Sequence, residues 1–227
     1  MCFPASSWAA STKAAVKKRT VLLLLGTLCL LAALGLTIWN LWTADRAQAA
    51  AAAAVQQLEP LIPAPAQQEP AKTTDAPAAE PEEPDIPDYL LNPGMAMPVV
   101  MVVGVAYIGV LEIPALELTL PVTGEWSYDR LKIALYRYAG SAYLDNLVIM
   151  GHNYPAFFKN LGDLRPGDEI RFTDADGNVF SYTVADLEQL RASQAEDMIT
   201  GDWDLTLFTC TPGGQLRIAV RCIRAAE

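Results

Sequence analysis

The chain has 227 residues, 52% of them hydrophobic, and a net charge of -10. That length leaves room for one domain plus appendages, and the positive mean hydropathy calls for a membrane segment. The acidic balance argues against a nucleic-acid partner, because phosphate binding depends on clustered Lys and Arg, and four scattered cysteines are too few for a disulfide framework.

Residues 1–20 form a basic tail with Lys13, Lys17, Lys18, Arg19 and no acid. Residues 21–42, from Val21 to Trp42, are uncharged and about the twenty residues needed to cross the hydrocarbon core, so a transmembrane helix is expected there. Basic residues on its N-terminal flank, with Trp39 and Trp42 at the far interface, orient the N-terminus in the cytoplasm and the rest of the chain outside. A cleaved signal peptide is the alternative, with Ala47-Gln48-Ala49 as the cleavage site.

Residues 43–98 are rich in Ala, Pro and Glu and predict a linker. The alanine run at 49–54 could continue the helix, alanine being the best helix former. Beyond it, ten prolines between Pro60 and Pro98 interrupt regular structure, and eight acids between Glu59 and Asp88 face Lys72 alone, so the segment extends by self-repulsion. Residues 87–98 are too apolar for a solvated linker and predict a docked segment or a lid.

The folded domain is expected over residues 99–227. Ala106 to Glu112, Leu118 to Val122 and Leu144 to Met150 read as strands, and Ser127 is an N-cap candidate for a short helix through Ile133. A helical turn fits within Tyr154 to Leu164. Glu169 to Thr173 and Asn178 to Val184 alternate around Asp176-Gly177, a hairpin turn pair. Many short strands and few helices predict a mainly β fold, a closed or nearly closed barrel.

The chemistry gathers between Leu205 and Arg221. Leu205 to Cys210 alternates as a strand, Pro212-Gly213-Gly214 stops it, and a second alternating run starts at Arg217. With Gly213 and Gly214 as a two-residue hairpin loop, Cys210 falls opposite Arg217 on one face, Cβ atoms roughly 4.5 to 5.5 Å apart. A wider turn, which Thr211-Pro212 allows, would alter that pairing. A thiol beside a guanidinium is in an electropositive setting that favours the thiolate. Arg221 shares the face but lies four residues on, roughly 13 Å at strand rise. Cys222 falls on the opposite face near Leu205, too far for a disulfide with Cys210, since bridged Cα atoms approach within about 7 Å. A cysteine nucleophile needs a base, and the only histidine is His152, in Gly151-His152-Asn153 at the end of an apolar run.

Together, His152 at a strand end, Thr206-Leu207-Phe208-Thr209-Cys210 and the Arg217 strand resemble the sortases, membrane-anchored cysteine transpeptidases of Gram-positive surfaces. Tyr107 to Pro114 and Leu118 to Val122 resemble the family's early strands, so the resemblance covers about 105–224. It implies a closed eight-stranded barrel, Cys210 as nucleophile, His152 as acid and base, Arg217 as substrate or oxyanion partner, and Thr209 lining the substrate site. It implies as partners surface or pilin proteins with a C-terminal LPXTG-like signal, cut between Thr and Gly, and an amine acceptor on cell wall precursor or pilin. No cofactor and no metal are implied. The segment before the nucleophile strand, Leu187 to Asp204, would shape the signal pocket, and the span from Cys210 to Arg217 is shorter than in many sortases. Two other classes stay open: a different extracytoplasmic Cys/His enzyme acting on wall peptides, and a non-catalytic anchored binding module.

Two motifs point elsewhere. Leu120-Pro121-Val122-Thr123-Gly124 matches the signal that sortases cut, yet lacks the apolar segment and basic tail that should follow closely, so the end of a strand is expected. Asp174-Ala175-Asp176-Gly177-Asn178 resembles the start of a calcium loop but lacks its glycine and glutamate at the required positions, so a turn is expected.

Overall fold

The computed structural model describes residues 8–64, 86–127, 130–194 and 196–225. It divides into two compact units, the boundary falling after Asp45. Helix α1 (Trp8–Leu58) is continuous. Its apolar stretch, with mean hydropathy 2.6 and none of it buried, is long enough to cross a membrane. Within it, the Thr27 and Thr37 hydroxyls donate to the carbonyls of Leu23 and Ala33, so these polar groups carry their own partners.

In the second unit the alanine run extends α1 to Leu58. Ala51, Ala54, Val55 and Leu58 lie three or four residues apart, make one stripe, and are buried. Ala54 and Leu58 join a cluster with Val102, Tyr107, Val110 and Ala134. Small side chains let the helix lie close to the sheet, and Pro60 within the turn Glu59–Leu61 ends it.

Among the described residues nine strands follow: β1 (Val100–Val102), β2 (Val105–Ile113), β3 (Leu118–Thr123), β4 (Leu135–Ala139), β5 (Leu147–Met150), β6 (Glu169–Asp174), β7 (Val179–Arg191), β8 (Leu205–Cys210) and β9 (Leu216–Arg224). Their order is β1-β2-β3-β4-β5-β8-β9-β7-β6, and β2 also pairs with β6, so β2 to β9 close an eight-stranded barrel with β1 added to its rim. The expected closed barrel is the fold observed. Strand β2 is buried on both faces because one side faces the barrel interior and the other lies under α1. Gly109 sits at the seam with a φ of 154°, where a Cβ would come within 2.1 Å of the Thr173 carbonyl oxygen.

Five elements differ from expectation. Strands β1 and β4 were not foreseen. The run to Met150 is a 3₁₀ turn (Ala142–Leu144) followed by a strand starting only at Leu147. Strand β7 reaches Arg191 because a bulge between Val184 and Asp186 resets the alternation. Leu187 and Leu190 are therefore strand residues, and the connection to β8 is residues 192–204. The Ser127 carbonyl accepts from Leu131 N, and a 3₁₀ turn, Arg130–Lys132, ends before Ile133, while residues 128–129 of the expected helix lie outside the described residues.

Leu120 to Thr123 lie inside the barrel wall, with β3 paired to β2 and β4 on either side. At the β6–β7 turn, the buried Asp174 carboxylate accepts from Asp176 N, Asn178 N, Asn178 Nδ2 and Tyr143 Oη at 2.6 to 2.9 Å. The expected turn is thus built around one carboxylate, whose oxygens are taken by protein donors. Among residues 86–98, helix α2 (Asp88–Leu91) presents Tyr89, which stacks on Tyr143 with centroids 4.7 Å apart and tilts against Phe180.

Candidate active site

Strands β5 and β8 run parallel, with Met150 paired to Phe208. The Gly151 amide donates to the Phe208 carbonyl at 3.1 Å, and the Thr209 hydroxyl donates to the Gly151 carbonyl at 2.9 Å. These two bonds carry the register past the strand ends. His152 follows Gly151, Cys210 follows Thr209, and in-register neighbours on adjacent strands have backbones about 4.8 Å apart. The structure thus brings together two residues far apart in sequence.

Arg217 is paired with Cys210. The turn is wider than two residues: Thr211 N bonds to the Leu216 carbonyl and Gly214 N to the Thr211 carbonyl. The pairing is nonetheless the one expected from Gly213-Gly214, because an even-numbered loop on the same centre keeps the same register. The Arg217 guanidinium donates to the Gly214 and Leu216 carbonyls at 2.9 and 3.1 Å, which folds the side chain back over the turn. Cys210, His152 and Arg217 are all half-buried, open enough to meet a substrate yet fixed by their strands.

Alternation along β8 puts Cys210, Phe208 and Thr206 on the outer face of the barrel, with Arg217, Ala219 and Arg221 beside them on β9. Below Cys210 that face is apolar, where Val148, Leu190, Met198, Phe208 and Ala219 form one cluster. Tyr138 meets Phe208 edge-on, with centroids 5.2 Å apart. Thr209 points the other way and is 1% exposed. It was expected to line the substrate site, but its hydroxyl ties β8 to the turn that carries His152.

Burial, and to a smaller extent the nearby Lys132 ammonium, lower the pKa of His152 from its ordinary value. The ring of Tyr154 stacks on the imidazole, with centroids 4.7 Å apart and planes 28° apart. The Tyr154 carbonyl accepts from Phe157 N and Lys159 N, and the buried rings of Phe157 and Phe158 anchor that turn. Neither Tyr154 nor Lys132 was singled out from sequence. Tyr154, two residues after the only histidine, was the nearer signal; Lys132 reaches the site only through the fold. Cys210 and Cys222 are both free. Cys222 faces the barrel interior, and burial pushes its thiol up to about 12.

The eight-stranded barrel carries a cysteine at the end of β8, an arginine paired across from it and a histidine just past the end of the neighbouring β5, a set that suits cysteine acyl transfer. The sortase-domain family model matches residues 111–227, more than half of the chain, and the protein belongs to the sortase family of cysteine transpeptidases. A search of curated proteins finds no match. Similar solved structures include sortase C1 of Streptococcus agalactiae, 23% identical over 56% of this chain and 72% of that one, TM-score 0.49. They also include sortase C of Streptococcus pneumoniae, at 27% identity over 53% and 70%, TM-score 0.47. A third is the sortase D5 transpeptidase of Clostridium perfringens, at 22% identity over 53% and 79%, TM-score 0.47.

Proposed function

We propose that the enzyme cleaves an LPXTG-like sorting signal between Thr and Gly and transfers the threonyl acyl group to an amine. Cys210 passes its thiol proton to the neutral His152 as the sulfur attacks the threonine carbonyl carbon, the C–N bond to glycine breaks, and a thioester forms. His152 gives a proton to the departing glycine amine, then takes one from the acceptor amine as that nitrogen attacks the thioester and the thiolate leaves. Arg217 stabilises the oxyanion of each tetrahedral intermediate. Thr209 acts indirectly, holding the His152 turn in register with β8. The acceptor is an amine of cell wall precursor or a pilin lysine, and the signal proteins are surface or pilin proteins. Residues 21–42 anchor the enzyme with its N-terminus inside and its catalytic domain, residues 99–227, outside.

What supports this reading is the bridge from Gly151 to Phe208 and Thr209, which carries the backbone register from β8 to the turn of His152, while Arg217 is paired across from Cys210. The test is the full chain in detergent micelles with quenched fluorescent LPXTG peptides and an amine acceptor. Cleavage and amine-dependent ligation are expected, with both lost in Cys210→Ala. His152→Gln should fall by about 10² to 10⁴-fold, and Arg217→Lys by about 10-fold or more, since a lysine cannot reproduce the planar fork. Cleavage that survives Cys210→Ala would overturn the assignment.

A further inference from the structure

Strands β1 and β2 meet in a two-residue turn, Val103-Gly104, since Val102 is paired with Val105. Both turn residues have positive φ, 48° and 74°. Asn-Gly or Asp-Gly suits such a turn, whereas a β-branched side chain adopts it only with strain. Val103 is 87% exposed, so packing within the protein does not offset that strain.

The hairpin breaks a second local rule. Val100 and Val102 point to one face, where they pack with Ala54 and Leu58 of α1. The other face of a strand covered on one side normally carries polar groups. Here it carries Val99 and Met101, 53% and 61% exposed. A further apolar element starts from the same end of the barrel. On α2, Leu90 and Leu91 are 58% and 73% exposed, while Tyr89 stacks on Tyr143. The Tyr143 hydroxyl donates to Asp174, and Asp174 is paired with Gly109 on β2, five residues from the hairpin turn. From Tyr89 to Leu111 the chain has no charged residue, and Asp88 is the one charge on α2.

We propose that the β1–β2 turn and α2 form a lipid-contacting surface. Val99, Met101, Val103, Leu90 and Leu91 enter the interfacial region of a phospholipid bilayer and hold this end of the barrel on the membrane. Lipid accepts an uncharged apolar projection without needing a complementary partner surface. A second copy of the chain fits less well, because five side chains fall far short of the about 20 residues a side that a stable protein interface uses. Valine at the strained turn accords with lipid, since asparagine would suit the turn but not the acyl chains. Cys210 stays clear of this surface: Arg224, over the Phe180 ring that Tyr89 touches, is seven residues along β9 from Arg217. The proposal rests on the membrane anchoring proposed above.

The test reconstitutes the full chain in nanodiscs of phosphatidylcholine and phosphatidylglycerol containing a phospholipid with a photoactivatable diazirine in its acyl chain. Cross-linked peptides are mapped by mass spectrometry. Labelling is expected in residues 21–42 and also in 86–92 and 99–104. Val103→Asn should lower labelling of the hairpin peptide about fivefold, leave that of 21–42 unchanged, and raise the unfolding midpoint by relieving the turn. Leu91→Ser, which leaves the turn chemistry alone, should lower labelling of 86–92. Labelling confined to 21–42, or unchanged in both variants, would overturn the proposal. A hairpin shielded from the probe in discs that hold two copies would overturn it too, and give the surface to a second copy. Absence of label from 21–42 would remove the anchoring itself, and this surface with it, whereas label there alone removes only the surface.

Discussion

His152 is the one imidazole in the chain, so its titration can be followed by NMR without assignment ambiguity. Burial and Lys132 lower its pKa, so the folded protein takes up this proton at lower pH than the unfolded chain does. As pH falls below about 6.5 the unfolded chain binds the proton first, and the stability that depends on a neutral His152 declines until the folded pKa is passed. A midpoint below the ordinary value is expected. Lys132→Met should raise it by removing the repulsion, and Tyr154→Ala by admitting water to the ring; a midpoint unmoved by both would contradict these causes. The two barrel thiols should differ just as plainly. At pH 8 iodoacetamide should label Cys210 and leave Cys222 unlabelled until the protein is denatured, as peptide mapping by mass spectrometry would show. At this scale the places of Cys210 and His152 at or just past strand ends were legible from sequence, because residue type and strand ends are local facts. It was silent on the burial of Arg221, because the groups that surround it, Glu188 and the 196–198 turn, come from elsewhere in the chain.

Among elements, the extension of α1 has a direct energetic consequence. Leu58 is 1% exposed where it packs against the barrel, so Leu58→Ala should cost about 2 to 5 kcal/mol, while the same change at exposed Gln57 should be near neutral. Denaturant unfolding in micelles would separate the two. An alanine run states helix propensity clearly but says nothing about which face will be covered, so the stripe could not be read beforehand. The segment 86–98 offers a second contrast. Tyr89 tilts against Phe180, on which the Arg224 guanidinium also lies, 4.7 Å from the ring centroid. Arg224 is seven residues along β9 from Arg217, roughly 23 Å at strand rise. Tyr89 docks at that remote end. Tyr89→Ala should therefore loosen the segment, seen as faster proteolysis around 86–92, without changing the alkylation rate of Cys210.

For the whole molecule the decisive contact is closure of β2 on β6. Gly109 lies at that seam in a conformation other residues adopt only with strain, and a Cβ there would strike the backbone of Thr173 and Asp174. Gly109→Ala should open the seam and cost about 4 kcal/mol or more, beyond the usual range for a single substitution; an undiminished unfolding midpoint would show that the seam does not govern stability. The barrel class followed from the alternation of short strands. The β7 bulge was hidden because one inserted residue makes the second half of a strand look like loop.

The bond between Thr209 and Gly151 spans 58 residues of sequence, and it lies between two parallel strands that no tight turn can join. Such pairings form late, after long loops have been closed against their entropy. Cys210 and His152 are thus strangers for most of the folding reaction. A chain whose barrel is still open carries a cysteine without its partner, and competence arrives only when the barrel has closed, making activity itself a report on completed folding.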